Sequence, residues 1–428
     1  MKKWFGVLFV VGFVPGLLSA QDGVATLTLE YCYEQVYQNY PAADKADIQR
    51  EITDLNRRIA QSGWYPDVQI SGSTSYQSDV IEVPFAAPGT SPPEFSHDHY
   101  NLSIDVNQTI FDGGRIESRK TMEEYTGSME LARIETELWS VRHQVGQVYF
   151  GILKMQKQQE SLELLLDDIN EQLGMVQAQV RNGVLLPGDE RVLRAEQIRV
   201  QQQITEVEAE ITSGYRVLST ILGETIPDDT SLSVPELSDM EYRNSDVNRA
   251  EYDVFGESIL SLDSQKEFVR ADKLPSVSAF AKTAYSRPGL DAFDDDLQLY
   301  WVVGLRAQWS LTNSMNASKK MEVLESRKQS LNASREAFSR QLQSSLRQIE
   351  ERIEMLRDQL VTDEEVLELR EQITAEKRTQ LERGAITSTQ YMTELNAENR
   401  ARVDREIRQI LLVQAITEYA TQKGVPWN

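Results

Sequence analysis

The chain has 428 residues, 26% of them charged and 40% hydrophobic, with 13 prolines, a single cysteine and a formal net charge of −23. That composition belongs to a folded chain with extensive helix and excludes a low-complexity one. The lone Cys32 excludes an intrachain disulfide, and the acidic balance argues against nucleic acid or anionic lipid as a partner held through the overall field.

Residues 1–20 read as a signal peptide. Lys2 and Lys3 precede an apolar run from Trp4 to Leu18, broken by Pro15, and Leu18-Ser19-Ala20 offers a small residue before Gln21. The run is short for a membrane span, and Cys32 lies too far on to be a lipid-anchor site. No later apolar run reaches the length of a membrane helix, so a chain that enters a membrane must do so by strands.

The mature chain is one unit written twice, 21–223 and 246–428, with 224–245 as a linker. "WYPDVQISGSTSY" from Trp64 returns as "KLPSVSAFAKTAY" from Lys273, an offset of 209. "YNLSIDVNQTI" from Tyr100 returns as "WVVGLRAQWSL" from Trp301, an offset of 201, which also carries Gly183 onto Gly384. Each unit begins with a half-length helix, Thr28 to Ser62 in one and Asp246 to Ala271 in the other.

A strand pair comes next, 66–78 with 99–111 in the first unit and 275–286 with 299–311 in the second. The strands alternate with period two: Tyr100, Leu102, Ile104 and Val106 oppose Asn101, Ser103, Asp105 and Asn107, and every strand charge, including Lys282 and Arg306, falls on the polar face. Aromatic residues gather at both strand ends, Trp64, Tyr65, Phe111 and Trp309 at one and Tyr76, Tyr100, Tyr285, Tyr300 and Trp301 at the other. Two such girdles about ten residues apart favour a lipid-embedded barrel over a soluble sheet. Four strands cannot close a barrel, since single-chain barrels need about eight, so the strands must be shared between chains. The joining loops, Val80 to Asp98 and Pro288 to Gln298, suit exposed ends.

Long helices come after the strands, 113–182 and 314–383, each roughly 105 Å at 1.5 Å per residue. Ile134, Leu138, Val141, Val145, Val148, Ile152 and Met155 step four and three alternately, and the register resumes from Leu162 to Val180. Leu342, Leu346, Ile349, Ile353, Leu356 and Leu360 repeat it in the second copy. A sustained 3.5-residue period predicts coiled-coil packing. Gly183 and Gly384 end these helices, and returning helices of half the length run over 189–222 and 389–422. Each unit then supplies two columns, one unbroken and one stacked from two pieces.

Nothing in the sequence assembles a catalytic, cofactor or metal site. "HDH" at His97 to His99 lacks further ligands nearby, no carboxylate pair lies in a closed pocket, and the glycines of "FDGGR" suit a strand-to-helix turn. A periplasmic coiled-coil adaptor or scaffold is the alternative: it would explain heptads and export, but not two strand pairs bounded by aromatic girdles.

The layout resembles the TolC-type outer-membrane factors of efflux pumps and type I secretion systems. The resemblance rests on "LTLEYCYEQVYQNYPAADKADIQREI", "SGWYPDVQISGSTSY", "NQTIFDGGR", "RNGVLLPGDERVLRAE", "ERGAITSTQYMTELNAEN" and "AITEYATQKG" in that order. It implies a mostly helical fold with membrane strands: a homotrimer of four strands per chain in one 12-stranded barrel, continued by a coiled-coil helical barrel through the periplasm. It implies an outer-membrane location, no enzymatic activity and no cofactor, and it makes Asn101, Ser103, Asp105, Asn107, Lys282 and Arg306 lumen residues. It places a periplasmic adaptor, itself coupled to an inner-membrane transporter, at the tips Gly183, Val184, Leu185, Leu186 and Gly384, Ala385, Ile386, Thr387. It also maps a periplasmic constriction to Tyr391, Thr393, Glu394 and Asn396. Where some family members carry aspartates at that constriction, this chain has Thr393 and Asn396, which departs from an acidic gate.

Overall fold

The computed structural model describes residues 26–80, 95–235, 245–291 and 294–425. The signal-peptide reading of 1–20 lies outside the described residues, as do most of the first inter-strand loop and residues 292–293 of the second. A short strand β1 (Thr26–Leu27) leads into α1 (Leu29–Asn39) and α2 (Pro41–Gln61). Strands β2 (Asp67–Tyr76) and β3 (Asp98–Phe111) precede α3 (Arg115–Arg181) and α4 (Pro187–Leu222). After β4 (Ser231–Leu232), the second unit runs α5 (Ala250–Ala271), β5 (Ser276–Arg287), β6 (Gln298–Gln308), α6 (Leu311–Glu382) and α7 (Ser388–Lys423).

The strand-to-helix joint shows why a sheet passes directly into a helix of 67 residues. Gly113 and Gly114 both take positive φ, 73° and 90°, a conformation that costs other residues about 1–2 kcal/mol. Asp112 then accepts the Gly114 and Ile116 amides at 2.9 and 2.6 Å, satisfying donors that a helix start leaves open. The joint is also tight, for a Cβ on Gly113 would lie 3.2 Å from the Leu274 Cβ, between α5 and β5 of the second unit.

The alternating seam on α3 is buried as the 3.5-residue period predicts. Leu138, Val141, Val145, Ile152, Leu162, Ile169 and Val176 belong to one continuous core with Leu193, Val200, Ile204, Val207 and Ile211 of α4, and the remaining seam residues pack against it. The second unit builds a smaller core, Leu342 to Leu356 of α6 against Ala415, Ile416, Tyr419 and Ala420 of α7. Laterally, α3 contacts α2 and α4 on one side and α5 and α7 on the other, and α6 packs on α5 and α7. The half-length pieces do stack end to end: the Asn248 amide donates to the Lys423 carbonyl at 2.8 Å, and Asn39 reaches the Leu222 carbonyl at 3.3 Å. At mid-height β1 pairs with β4, and the Tyr149 hydroxyl lies 2.8 and 2.7 Å from the carbonyl oxygens of Leu27 and Ser233, tying this strap to α3.

The four long strands form one antiparallel sheet in the order β2-β3-β5-β6, so β2 and β6 are free edges. Two details differ from the sequence reading. The first helix is not continuous from Thr28 to Ser62: it breaks at Tyr40, which is extended because it precedes Pro41. The fourth strand stops at Gln308 rather than 311, and Leu311 already begins α6.

Candidate functional site

Three surfaces carry features that helical packing does not use. The first is the sheet. On its apolar face Ile70, Tyr76, Leu102, Leu299, Trp301, Val303 and Leu305 are all more than half exposed, a continuous apolar surface far beyond what a chain leaves facing water. On the opposite face polar groups converge. Asp105 sits opposite Lys282 across β3 and β5, with Nζ 3.9 Å from Oδ1. Ser103 donates to Asp105 at 2.8 Å and meets Ser71 at 2.9 Å. Asn101 faces Ser73 and Ser286, and Asn107 faces Asp67 and Phe280.

Arg306 stands apart from that cluster, its guanidinium 4.9 Å from the Phe280 ring centroid. Phe280 is a residue that sequence reasoning missed. It shares the polar face with Lys282 two positions on, and it is accommodated because Gly304 opposite has no side chain: a Cβ there would lie 2.8 Å from its ring. At the loop end Arg287 ties both hairpins together, donating to Asp295 at 2.7 Å, Ser96 at 2.6 Å and Asp98 at 3.3 Å. His97 of "HDH" is engaged by the first hairpin, stacked on Tyr76 and 2.8 Å from the Gln77 carbonyl oxygen.

The second surface is the pair of helical tips. Gly183 and Gly384 take φ 75° and 68°, and each closes a helix with the same double bond: Val184 N–H to Gln179 O and Gly183 N–H to Val180 O in one, Ala385 N–H to Gln380 O and Gly384 N–H to Leu381 O in the other. The turns leave Val184 and Leu186 exposed at 59% and 74%, with Ala385 and Thr387 exposed beside them, while Leu185 and Ile386 pack inward on the core. The two tips are bonded to each other. Asp189 accepts from the Leu186 amide of its own turn and from the Ser388 amide of the other, and Gln179 donates to the Glu382 carbonyl at 2.9 Å.

The third surface lies just above the tips, and here the four mapped constriction residues do not share one environment. Thr393 is exposed, its hydroxyl turned back to the Thr389 carbonyl. Glu394 pairs with Arg370 of α6 at 3.0 Å. Asn396 donates to Glu196 of α4 at 2.9 Å. Burial pushes the Glu196 carboxyl up, but its bonds from Arg199 and Asn396 outweigh this and hold it below the usual range.

Tyr391 is fully buried. Among the described residues its hydroxyl has no hydrogen-bond partner, and burial pushes its pKa up against the pull of nearby Arg378. Arg378 in turn reaches from α6 to Asp168 of α3 at 3.1 Å. Among the described residues the buried Gln172 Nε2, Gln179 Oε1, Thr374 Oγ1 and Ser388 Oγ likewise lack a partner.

The two hairpins are held together differently. The first is joined by its unbroken apolar seam. In the second, its own apolar core ends near Leu356; below it Leu381 of α6 and Tyr391, Met392, Leu395 and Ile410 of α7 join the core of the first unit, and α6 and α7 are also linked by Asp363–Arg408, Glu364–Arg405, Glu371–Arg402 and Arg370–Glu394. Val361 and Leu369 of this stretch remain more than half exposed.

The comparisons with known proteins agree with this architecture. The family model for outer membrane efflux proteins matches residues 32–224, the first unit. No curated protein sequence matches the chain. Among solved structures, that of CusC, described as forming a transmembrane channel, superposes with a TM-score of 0.74 at 13% identity, over 96% of each chain. The outer membrane protein VceC from Vibrio cholerae gives 0.69 at 16% identity, over 92% of this chain and 96% of its own. The Campylobacter jejuni CmeC outer membrane channel gives 0.70 at 14%, over 92% and 85%.

Proposed function

We propose, from a chain that carries the outer membrane efflux signature in its first unit and the fold of the TolC-type outer-membrane factors along its length, that it is the outer-membrane conduit of a tripartite efflux pump or type I secretion system. The observation that carries this reading is the open four-stranded sheet: apolar on one face, polar on the other, unpaired at both edges and continuous with two helices of 67 and 72 residues. A single copy leaves all of this unsatisfied, whereas three copies bring twelve strands, enough to close a barrel. The sheet then crosses the outer membrane, residues 1–20 having directed export, and the helices of about 100 Å extend into the periplasm. A free-standing scaffold leaves the sheet without a purpose.

Transport needs no chemistry from the chain. Asn101, Ser103, Asp105, Asn107, Lys282 and Arg306 line a water-filled lumen through which solute leaves as a partner energises it. The tips, with Val184 and Leu186 outermost, are where a periplasmic adaptor docks and couples the conduit to an inner-membrane transporter. Gating belongs to the second hairpin. Ion pairs exposed to water contribute only about 0–1 kcal/mol each, and each buried unpartnered polar group costs about 1–3 kcal/mol. The lower second hairpin, where the Tyr391 hydroxyl is buried and Glu394 and Asn396 are held by polar partners, is the stretch that opens: a swing of lower α6 and α7 hydrates those groups while the first hairpin stays fixed.

Single-particle imaging of the mature chain purified in detergent tests the reading. A threefold tapered cylinder, with a short barrel over a helical section of roughly 100 Å, is expected. A slender rod or a compact monomer would overturn it.

A further inference from the structure

At mid-height a cleft of about 620 Å³ opens over α3, between α1 on one side and the junction of α5 with the end of α7 on the other. It lies over the central helix of the chain and not on the outer flanks of α2 or α6. Its size is that of a small-molecule site.

Arg142 of α3 is the unusual group in this cleft. The residue is only 6% exposed, and its guanidinium carbon lies 4.7, 5.5 and 4.5 Å from the ring centroids of Tyr33, Tyr37 and Trp139. Ring faces attract a cation, but a buried charge ordinarily has an opposite charge and hydrogen bonds as well. Among the described residues Arg142 has no carboxylate partner: its Nε has no acceptor, and Nη1 reaches only the Tyr37 hydroxyl, at a long 3.5 Å. That hydroxyl donates in turn to Glu135 at 2.9 Å, so Glu135 is linked to Arg142 only through a tyrosine.

The mouth carries the opposite charge. Glu30 and Glu34 of α1 and Asp253 of α5 line the same cleft and are exposed. Among the described residues none of the three enters a salt bridge, and Glu34 accepts only from neutral Gln38, at 3.0 Å. Nor do they converge on a point, for among the described residues no three acidic, histidine or cysteine side chains gather closely enough to hold a metal ion. The cleft therefore pairs a deep, unmatched cation with a rim of unmatched anions, and apolar ring surface lies between them.

We propose that this cleft binds a small zwitterionic molecule, of the class of a short apolar peptide with both ends free, its carboxylate against Arg142 and its ammonium among Glu30, Glu34 and Asp253. A simple anion would have to settle beside the carboxylates of the rim. A simple cation would leave Arg142 unmatched and add a second positive charge beside it. A molecule with both ends satisfies the two charge sets at once, and its apolar body covers the edges of Tyr33 and Trp139. The assignment goes beyond the conduit reading and stands on the cleft alone.

Isothermal titration calorimetry on the full chain, purified and assembled in detergent, tests it with three probes of one shape. These are the dipeptide alanyl-phenylalanine with free ends, its N-acetyl form, which keeps only the carboxylate, and its C-terminal amide, which keeps only the ammonium. The free dipeptide is expected to bind at least about tenfold more tightly than either blocked form, the usual cost of losing a hydrogen bond to a charged group. Arg142→Gln should bring the free dipeptide down to the affinity of the amide. Because Arg142 is packed against three rings, the exposed double variant Glu30→Gln, Asp253→Asn provides a second reading that leaves the interior untouched. It should weaken the free dipeptide toward the N-acetyl form without weakening the N-acetyl form itself. Equal affinities for the three probes, tightest binding of the amide, or no binding of any would each overturn the proposal. So would a free dipeptide that binds the rim variant as tightly as the parent. The readout is binding and not transport, so any of these failures leaves the conduit to its own test by imaging.

Discussion

On the conduit reading proposed above, single side chains report on conductance and on packing separately. Asp105 and Arg306 lie on the polar sheet face without helping to hold the helices, Asp105 near Lys282 and Arg306 over Phe280. Reversing either charge, Asp105→Lys or Arg306→Glu, is expected to shift the reversal potential in planar bilayers with assembly intact; unchanged reversal potentials would remove these residues from the lumen. Tyr391 works in the opposite sense. Its hydroxyl is buried and unpartnered, so Tyr391→Phe deletes a desolvated group and should favour the packed tip by roughly 1–3 kcal/mol, read as a lower open probability. An open probability equal to or above the parent's would show that the hydroxyl does not oppose closure. Gly424 serves packing alone. It takes φ 77° at the end of α7, and a Cβ there would lie 1.9 Å from the Asn248 carbonyl oxygen. Gly424→Ala should cost at least about 1–3 kcal/mol of backbone strain and lower the thermal midpoint.

Between the elements, the contrast lies in what joins each hairpin. Ile169 sits in the apolar seam of the first and is fully buried, so Ile169→Ala should destabilise by roughly 2–5 kcal/mol whatever the salt. The lower second hairpin adds to its apolar contacts the pairs that Arg402, Arg405 and Arg408 make with acidic partners on α6. Raising ionic strength from 0.1 to 1 M shortens the screening length from about 10 to about 3 Å. If the second hairpin gates as proposed above, open probability should rise with salt in the parent and respond less in an Arg402→Gln, Arg408→Gln variant; equal salt dependence would argue against ionic closure. The apolar seam was legible in the sequence because its period is local and long. That Asp105 and Lys282 share a face was legible from strand parity. The room for Phe280 was not, since Gly304, which supplies it, lies on the adjacent strand. The burial of Tyr391 was equally hidden: a helix face among three neighbours is decided by which neighbour covers it, and heptad stepping does not say. The break at Pro41 was written in the sequence, but the apolar pattern runs through it.

At the scale of the whole molecule, one protomer is an arc rather than a body, its lateral order running from β2 and α2 at one margin to β6 and α6 at the other. Its hydrophobic interior lies mostly between the helices, and the edge strands of the sheet are largely exposed. The bare margins and the apolar sheet face have a thermodynamic consequence. In the trimer proposed above, the chain satisfies its sheet edges and apolar area against other copies and lipid, and its free energy of folding is then not fixed, because mass action couples that quantity to chain concentration. Diluting denatured chain before refolding it into detergent should depress the yield of native trimer far more steeply than in proportion, and a yield independent of concentration would contradict the coupling. In such a trimer, the supply of copies is a stability parameter in the same sense as temperature.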